Sequence, residues 1–263
     1  ELEALVLSNL AALAIGGGDY GSALCWLGEE EEVARRALAQ GSPPWAAAEL
    51  DYVRINRSVA LEQLGAYSEA LAEIRPLVER LPGESAASPD SGESAALLVN
   101  LAVLYRNLGD PRRALVLLER AGRLYERLGD RSALANVHLN RGLVQELNLR
   151  APESAATELA RALILARAGG DRGEELRTLC ALGDLRRQRG DLIGARESFS
   201  QALSLASASD ARAGRWTAEA GLGRVARDAG DTAAALVHLR AAIAEIEQTG
   251  EGLGDSTLRG GLL

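Results

Sequence analysis

Four asparagines, Asn9, Asn56, Asn100 and Asn140, combine residue type and recurrence in a way that offers specific chemistry. A carboxamide carries both a donor and an acceptor, so each could pair with the N–H and C=O of one residue of an extended peptide. A row of them could hold a backbone largely independently of its side chains. The structural alternative is that each Asn satisfies a neighbouring helix or fills a tight interhelical gap. Arg177, Arg187, Arg224 and Arg227 form a second set. Guanidinium groups grip carboxylates with two parallel hydrogen bonds, which would suit an acidic ligand segment. Their local alternative is a solvated face paired with Asp184 and Asp228, where exposed ion pairs contribute only about 0–1 kcal/mol.

Other reactive types are poorly placed. His138 and His238 lie about 100 positions apart with no Cys or carboxylate at ligand spacing, so no metal is expected. Cys25 and Cys180 cannot form a disulfide framework or a four-ligand zinc site, and neither sits in a nucleophile motif. Cys180 reads as a small, semi-buried hydrophobe. The run Glu29–Glu32 reads as a solvated acidic face. The stretch GGGD at 16–19 has no following Lys-Ser/Thr, so it is a turn and not a phosphate loop. Trp45 and Trp216 read as packing residues at hairpin junctions. With no acid–base or nucleophile constellation, neither catalysis nor a cofactor is expected.

The elements that would position these side chains repeat. The turn signals GDYGSA, GAYSEA, GDPRRA, RAPESA, GDLIGA and GDTAAA end on Ala23, Ala70, Ala114, Ala155, Ala195 and Ala235, at spacings of 47, 44, 41, 40 and 40. Apolar residues fall at helical intervals on both sides of each turn, as in Leu176, Leu179, Leu182 and Leu185 before the fifth. This predicts an all-α solenoid over residues 1–248, with about twelve helices in six hairpins. The first helix of each hairpin would form an inner wall. Its stripe includes Tyr52, Ile55, Asn56 and Val59 in repeat two, then Ala96, Val99, Asn100 and Val103 in repeat three. It continues through Asn136, Leu139, Asn140 and Leu143 in repeat four, and through Arg177, Cys180, Ala181 and Asp184 in repeat five. Repeat six adds Thr217, Ala220, Gly221 and Arg224, so a row of asparagines covers at most four repeats. Residues 83–95 read as an enlarged polar loop, and 249–263 as a glycine-containing tail.

These residues resemble the tetratricopeptide repeat (TPR). Leu179, Leu182, Gly183, Ala195, Phe199 and Ala202 stand at its marker positions in repeat five, and Leu98, Leu101, Ala102, Tyr105, Ala114, Leu118 and Ala121 in repeat three. The resemblance covers about residues 4–247. The intervals exceed the usual repeat length and look like the long-helix variety of kinesin-light-chain-like and bacterial signalling arrays. Repeat four departs, with Arg141 at an apolar position and an extra residue before its turn. The resemblance implies a right-handed superhelix whose concave groove binds an extended peptide or partner-protein segment. The sequences LRAAIAEIE and TLRGGLL look like the junction before the catalytic domain of bacterial caspase-like peptidases of the CHAT type. That resemblance would make the array a sensing region upstream of such a domain. A regulatory segment of a bacterial transcription activator is the alternative, and a purely structural scaffold is a third.

Composition narrows the partners. The 263 residues carry a formal charge of -8, which repels a nucleic acid, and only 3% are aromatic. No apolar run approaches a membrane span. Every basic residue is Arg, Met is absent and the sequence opens at Glu1, so it reads as part of a longer, cytoplasmic bacterial protein.

Overall fold

A left-handed glycine followed by an aspartate ends one helix and starts the next through much of this chain. Gly18, Gly109, Gly129, Gly170, Gly190 and Gly230 take φ between 69° and 81°, a region costly for any residue with a Cβ. The aspartate that follows each one caps the next helix by accepting a backbone N–H at 2.9–3.1 Å, as Asp171 does from Glu174 and Asp191 from Gly194. Its own N–H reaches back to a carbonyl of the finished helix, for example Asp110 to Tyr105 at 2.8 Å.

The computed structural model describes residues 1–41, 43–81, 92–208 and 212–251, and among them twelve α-helices occur. They are α1 Leu2–Gly17, α2 Tyr20–Gly41, α3 Pro44–Gln63, α4 Tyr67–Glu79, α5 Gly92–Asn107, α6 Pro111–Leu128, α7 Arg131–Leu147, α8 Pro152–Gly169, α9 Arg172–Gln188, α10 Leu192–Ala208, α11 Arg212–Asp228 and α12 Thr232–Glu251. The chain divides into two compact units, Glu1–Leu124 and Tyr125–Leu263. In the first, α1 touches α3 and α3 touches α5; in the second, α7 touches α9 and α9 touches α11. First helices of successive hairpins therefore lie side by side within each unit, with the second helix of each hairpin packed against them.

The turn alanines are core residues: Ala23, Ala70, Ala114, Ala155 and Ala195 are wholly buried, and Ala235 nearly so. Small residues opposite them let paired helices approach. A Cβ on Gly142 would sit 2.8 Å from the Leu159 side chain, one on Gly183 2.7 Å from the Phe199 ring, and one on Gly223 2.8 Å from Leu239. In the first unit the core runs from Ala4, Leu7 and Val33, with Trp45 packed on them as expected, to Ala70, Ile74, Leu101 and Leu104. In the second it joins Leu139, Ala155 and Leu159, then Phe199, Ala202 and Ala218.

Three expectations change in detail. Residues 92–95 begin α5, where Glu93 complements the positive end of the helix, so the enlarged loop is shorter than 83–95. Residues 82–91 lie outside the described residues. Helix α12 continues to Glu251, beyond the expected boundary at 248, and the rest of the tail, 252–263, also lies outside them. Trp216 is 38% exposed and covers less core than its position promised.

Repeat four explains its own irregularity. Arg141 pairs with Glu158 at 3.0 Å, and His138 Nδ1 lies 2.6 Å from the other oxygen of the same carboxylate. Burial pushes that carboxyl up, but His138 and Arg141 outweigh it and hold it below its usual range. The extra residue before the turn leaves Arg150 at φ 50°, a left-handed position filled elsewhere by glycine. Arg150→Gly is therefore expected to stabilise the chain by roughly 0.5–1 kcal/mol, since the side-chain clash disappears. Urea unfolding of the two proteins measures this, and a lower midpoint for the variant would contradict it.

Candidate interaction surface

Within the first unit, α1, α3 and α5 present one stripe of side chains each, and α4 closes one side. Together they enclose a cleft of about 940 Å³, lined by Leu5 and Ser8 of α1, Ala48, Glu49, Tyr52 and Ile55 of α3, and Ala96, Leu97 and Asn100 of α5. Leu77, Arg80 and Leu81 complete it, with Asp51 and Glu93 at its edges. Tyr52 is 40% exposed, an aromatic face on offer rather than a core residue. Arg80 is spoken for by Asp51 at 2.6 Å, which leaves Glu49 and Glu93 to make the cleft acidic.

Glu30 of α2 lies behind this wall and is completely buried, with Glu49 and Ser8 as its polar neighbours. Burial pushes its carboxyl up to about 8, and the charge of Glu49 adds to it. The run Glu29–Glu32 is thus not a uniform solvated face. Glu30 points inward, and Glu31 bridges to Arg57 at 2.5 Å, which also holds Glu73 at 3.2 Å. Only Glu29 and Glu32 of that run are exposed. Their neighbours come from other hairpins, so no local pattern distinguishes the four.

The asparagines are dispersed by their surroundings. Asn100 lines the cleft. Asn9 is exposed on α1 outside it, and Asn56 is half-buried beside it with an Nδ2 that has no hydrogen-bond partner. In the second unit Asn140 is 7% exposed, and its Nδ2 donates to the Asn136 carbonyl at 3.0 Å and to Asn136 Oδ1 at 3.2 Å. That is the packing alternative. Val59 and Val103 are half-buried, and Val99 is buried. Leu139 belongs to the core with Ala155 and Leu159, and Leu143 packs against that cluster. The stripe predicted by the helical spacing is therefore displaced: one turn back from Tyr52 and Ala96 the cleft is lined by Glu49 and Glu93.

The arginines offered to an acidic ligand are closed on carboxylates of their own unit. Arg177 pairs with Glu174, which is 1% exposed. Arg224 reaches Asp184 at 3.0 Å, Arg187 reaches Asp228 at 2.7 Å, and Arg227 shares that carboxylate at 3.0 Å. Two hydrogen bonds and the charges of Arg187 and Arg227 hold the Asp228 carboxyl below its usual range. An anion would have to displace these carboxylates. Asp184 and Asp228 sit about one repeat from the arginines they bind across, a spacing that the sequence period could have revealed.

Cys180 is buried in the α9–α11 core, and burial, with the Asp184 charge adding to it, pushes its thiol up to about 12. It is a packed hydrophobe, not a nucleophile. Among the described residues no cluster of three or more His, Cys, Asp or Glu is placed to hold a metal ion, and no helix is long and apolar enough to cross a membrane.

No protein-family model matches the chain, and no curated protein matches its sequence. Solved structures do match in fold. BtubC from P. vanneervenii is 19% identical, with 88% of this chain and 92% of that one covered at a TM-score of 0.64. The Rap conjugation gene regulator of the plasmid pLS20, solved in complex with the Phr* peptide, is 14% identical over 95% of this chain and 76% of its own, at 0.70. TTC0263, a thermophilic TPR protein of Thermus thermophilus, is 22% identical over 83% and 98%, at 0.59. The fold is that of a TPR-like all-α array.

Proposed function

We propose that this array is a protein–protein interaction module that takes an extended peptide or partner segment on its first-helix face, with the acidic cleft of the first unit as the principal site. The observation that carries this reading is the 940 Å³ cleft itself, an open trough that offers Tyr52, Ile55 and Asn100 as contacts. Its volume has room for several extended residues, Asn100 can hold a peptide backbone, and Glu49 and Glu93 favour a cationic side chain or amino terminus. The Rap regulator that shares the fold was solved with a peptide, which supports the same mode here. The asparagine row enters this proposal through Asn56 and Asn100, with Asn9 at its outer end; Asn140 is assigned to packing.

The setting is part of the proposal. The array acts as a bacterial, cytoplasmic sensing region without chemistry of its own, upstream of a caspase-like peptidase of the CHAT type, as the sequences LRAAIAEIE and TLRGGLL suggest.

Selection of phage-displayed dodecapeptides on the chain tests the site. Enriched peptides are expected to be cationic, and to lose about tenfold or more in affinity with Asn100→Ala or Tyr52→Ala, while the melting temperature stays unchanged. Peptides that bind both variants as well as the parent chain would place the interaction elsewhere.

A further inference from the structure

We propose a second binding site in the first unit, a cleft between α4, α5 and α6 that takes an acidic, amphipathic segment of a partner protein. The cleft has a volume of about 580 Å³ and shares only Leu81 with the first-helix trough, with its own arginine-rich rim. Its floor is apolar: Leu101 is buried, Val78 and Leu117 pack against the same core, and Val116 stands 66% exposed at the edge. Around that floor stand Arg75, Arg112, Arg113 and Arg120, with the carboxylate of Glu79 beside them. A chain with a formal charge of -8 has gathered four cations on one small apolar surface.

The arginines are not equivalent. Arg113 is fixed, 5.4 Å over the Tyr105 ring and 3.4 Å from Asp110. Arg75 and Arg112 are exposed and make no ion pair among the described residues. Unpaired guanidinium groups beside apolar side chains match a ligand that alternates carboxylates with aliphatic residues. Along α6, Arg112, Val116 and Arg120 follow at i, i+4 and i+8, a row of about 12 Å at the helical rise. That is the reach of three or four extended residues, longer than a single free anion requires. The acidic ligand expected at Arg177 and Arg224 would meet charges already matched, whereas Arg75 and Arg112 carry no ion pair among the described residues.

Fluorescence anisotropy with the full 263-residue chain provides the test. The probe is a fluorescein-labelled decapeptide that alternates Asp and Leu, compared with its Asn-Leu counterpart and with phosphatidylglycerol vesicles. The acidic peptide is expected to bind, the Asn-Leu peptide to bind about tenfold more weakly or worse, and Arg75→Glu with Arg112→Glu to abolish the difference. The milder Arg75→Gln with Arg112→Gln should give an intermediate loss. Arg196→Glu with Arg240→Glu makes the same charge change on exposed positions of the second unit and should leave binding within about twofold. Equal losses in both double reversals, no preference for the acidic peptide, or binding to the vesicles in place of the peptide would each overturn the proposal.

Discussion

Glu30→Gln is expected to stabilise the chain on the order of 3 kcal/mol at about pH 9, and to change little below about pH 5. The reason is proton linkage. In the folded chain the Glu30 carboxyl is pushed from its ordinary 4.5 up to about 8, because it is buried beside Glu49. Between those values the folded state holds a proton that the unfolded state releases. Stability therefore falls as pH rises through that window and levels off above it. Glutamine keeps the shape of the neutral acid and has no charge to bury. Glu62, Glu146 and Glu174 are also pushed up by burial, so the parent chain retains a slope of the same sign from them. The difference between parent and variant isolates Glu30. Guanidinium unfolding at acid, neutral and alkaline pH measures it, and a difference that does not grow with pH would show that this carboxyl is not held neutral.

The second large effect concerns the ring of Phe199, which is wholly buried between two glycines on different helices. A Cβ on Gly221 would lie 2.3 Å from Cε1 and 2.4 Å from Cδ1 of that ring, and a Cβ on Gly183 would lie 2.7 Å from Cε2 and Cζ on its other side. The ring has no free side to move toward. Gly221→Ala is expected to cost about 3 kcal/mol, at the upper end of overpacking penalties. Phe199→Ala should cost about 3–5 kcal/mol through lost burial and a cavity. Combining Phe199→Leu with Gly221→Ala should recover part of the loss, because the smaller side chain vacates the contested space. Calorimetric melting of the parent, Phe199→Leu, Gly221→Ala and the Phe199→Leu/Gly221→Ala double variant reads the cycle; strictly additive losses would mean that ring and glycine do not compete.

The same contact leaves no room for an asparagine in repeat six. Position 221 is equivalent to Asn140, and no asparagine fits there once a phenylalanine fills the hairpin beside it. That limit was visible in sequence only as a missing residue. The helices and their partners were far more legible, because the left-handed glycines, capping aspartates and turn alanines are local devices repeated at a steady interval. Residues whose fate depends on neighbouring hairpins were not. Glu30 looks like Glu29 until Ser8 and Glu49 close over it, and Leu139 looks like a wall residue until Leu159 and Leu182 enclose it. The acidic rim of the first-helix cleft stands one turn from the stripe that the helical spacing predicts. Arg112 and Arg113 stood in plain view behind a turn signal, but the apolar floor that gives them meaning comes from three helices.

One earlier detail turns the molecule into its own gauge. Its two thiols divide between the units, Cys25 exposed on α2 and Cys180 sealed in the core of α9 to α11. An alkylating reagent meets the first in the intact molecule and the second only after that helical stack parts. The ratio of the two labels, followed over time, counts breathing events of the distal stack without any engineered dye.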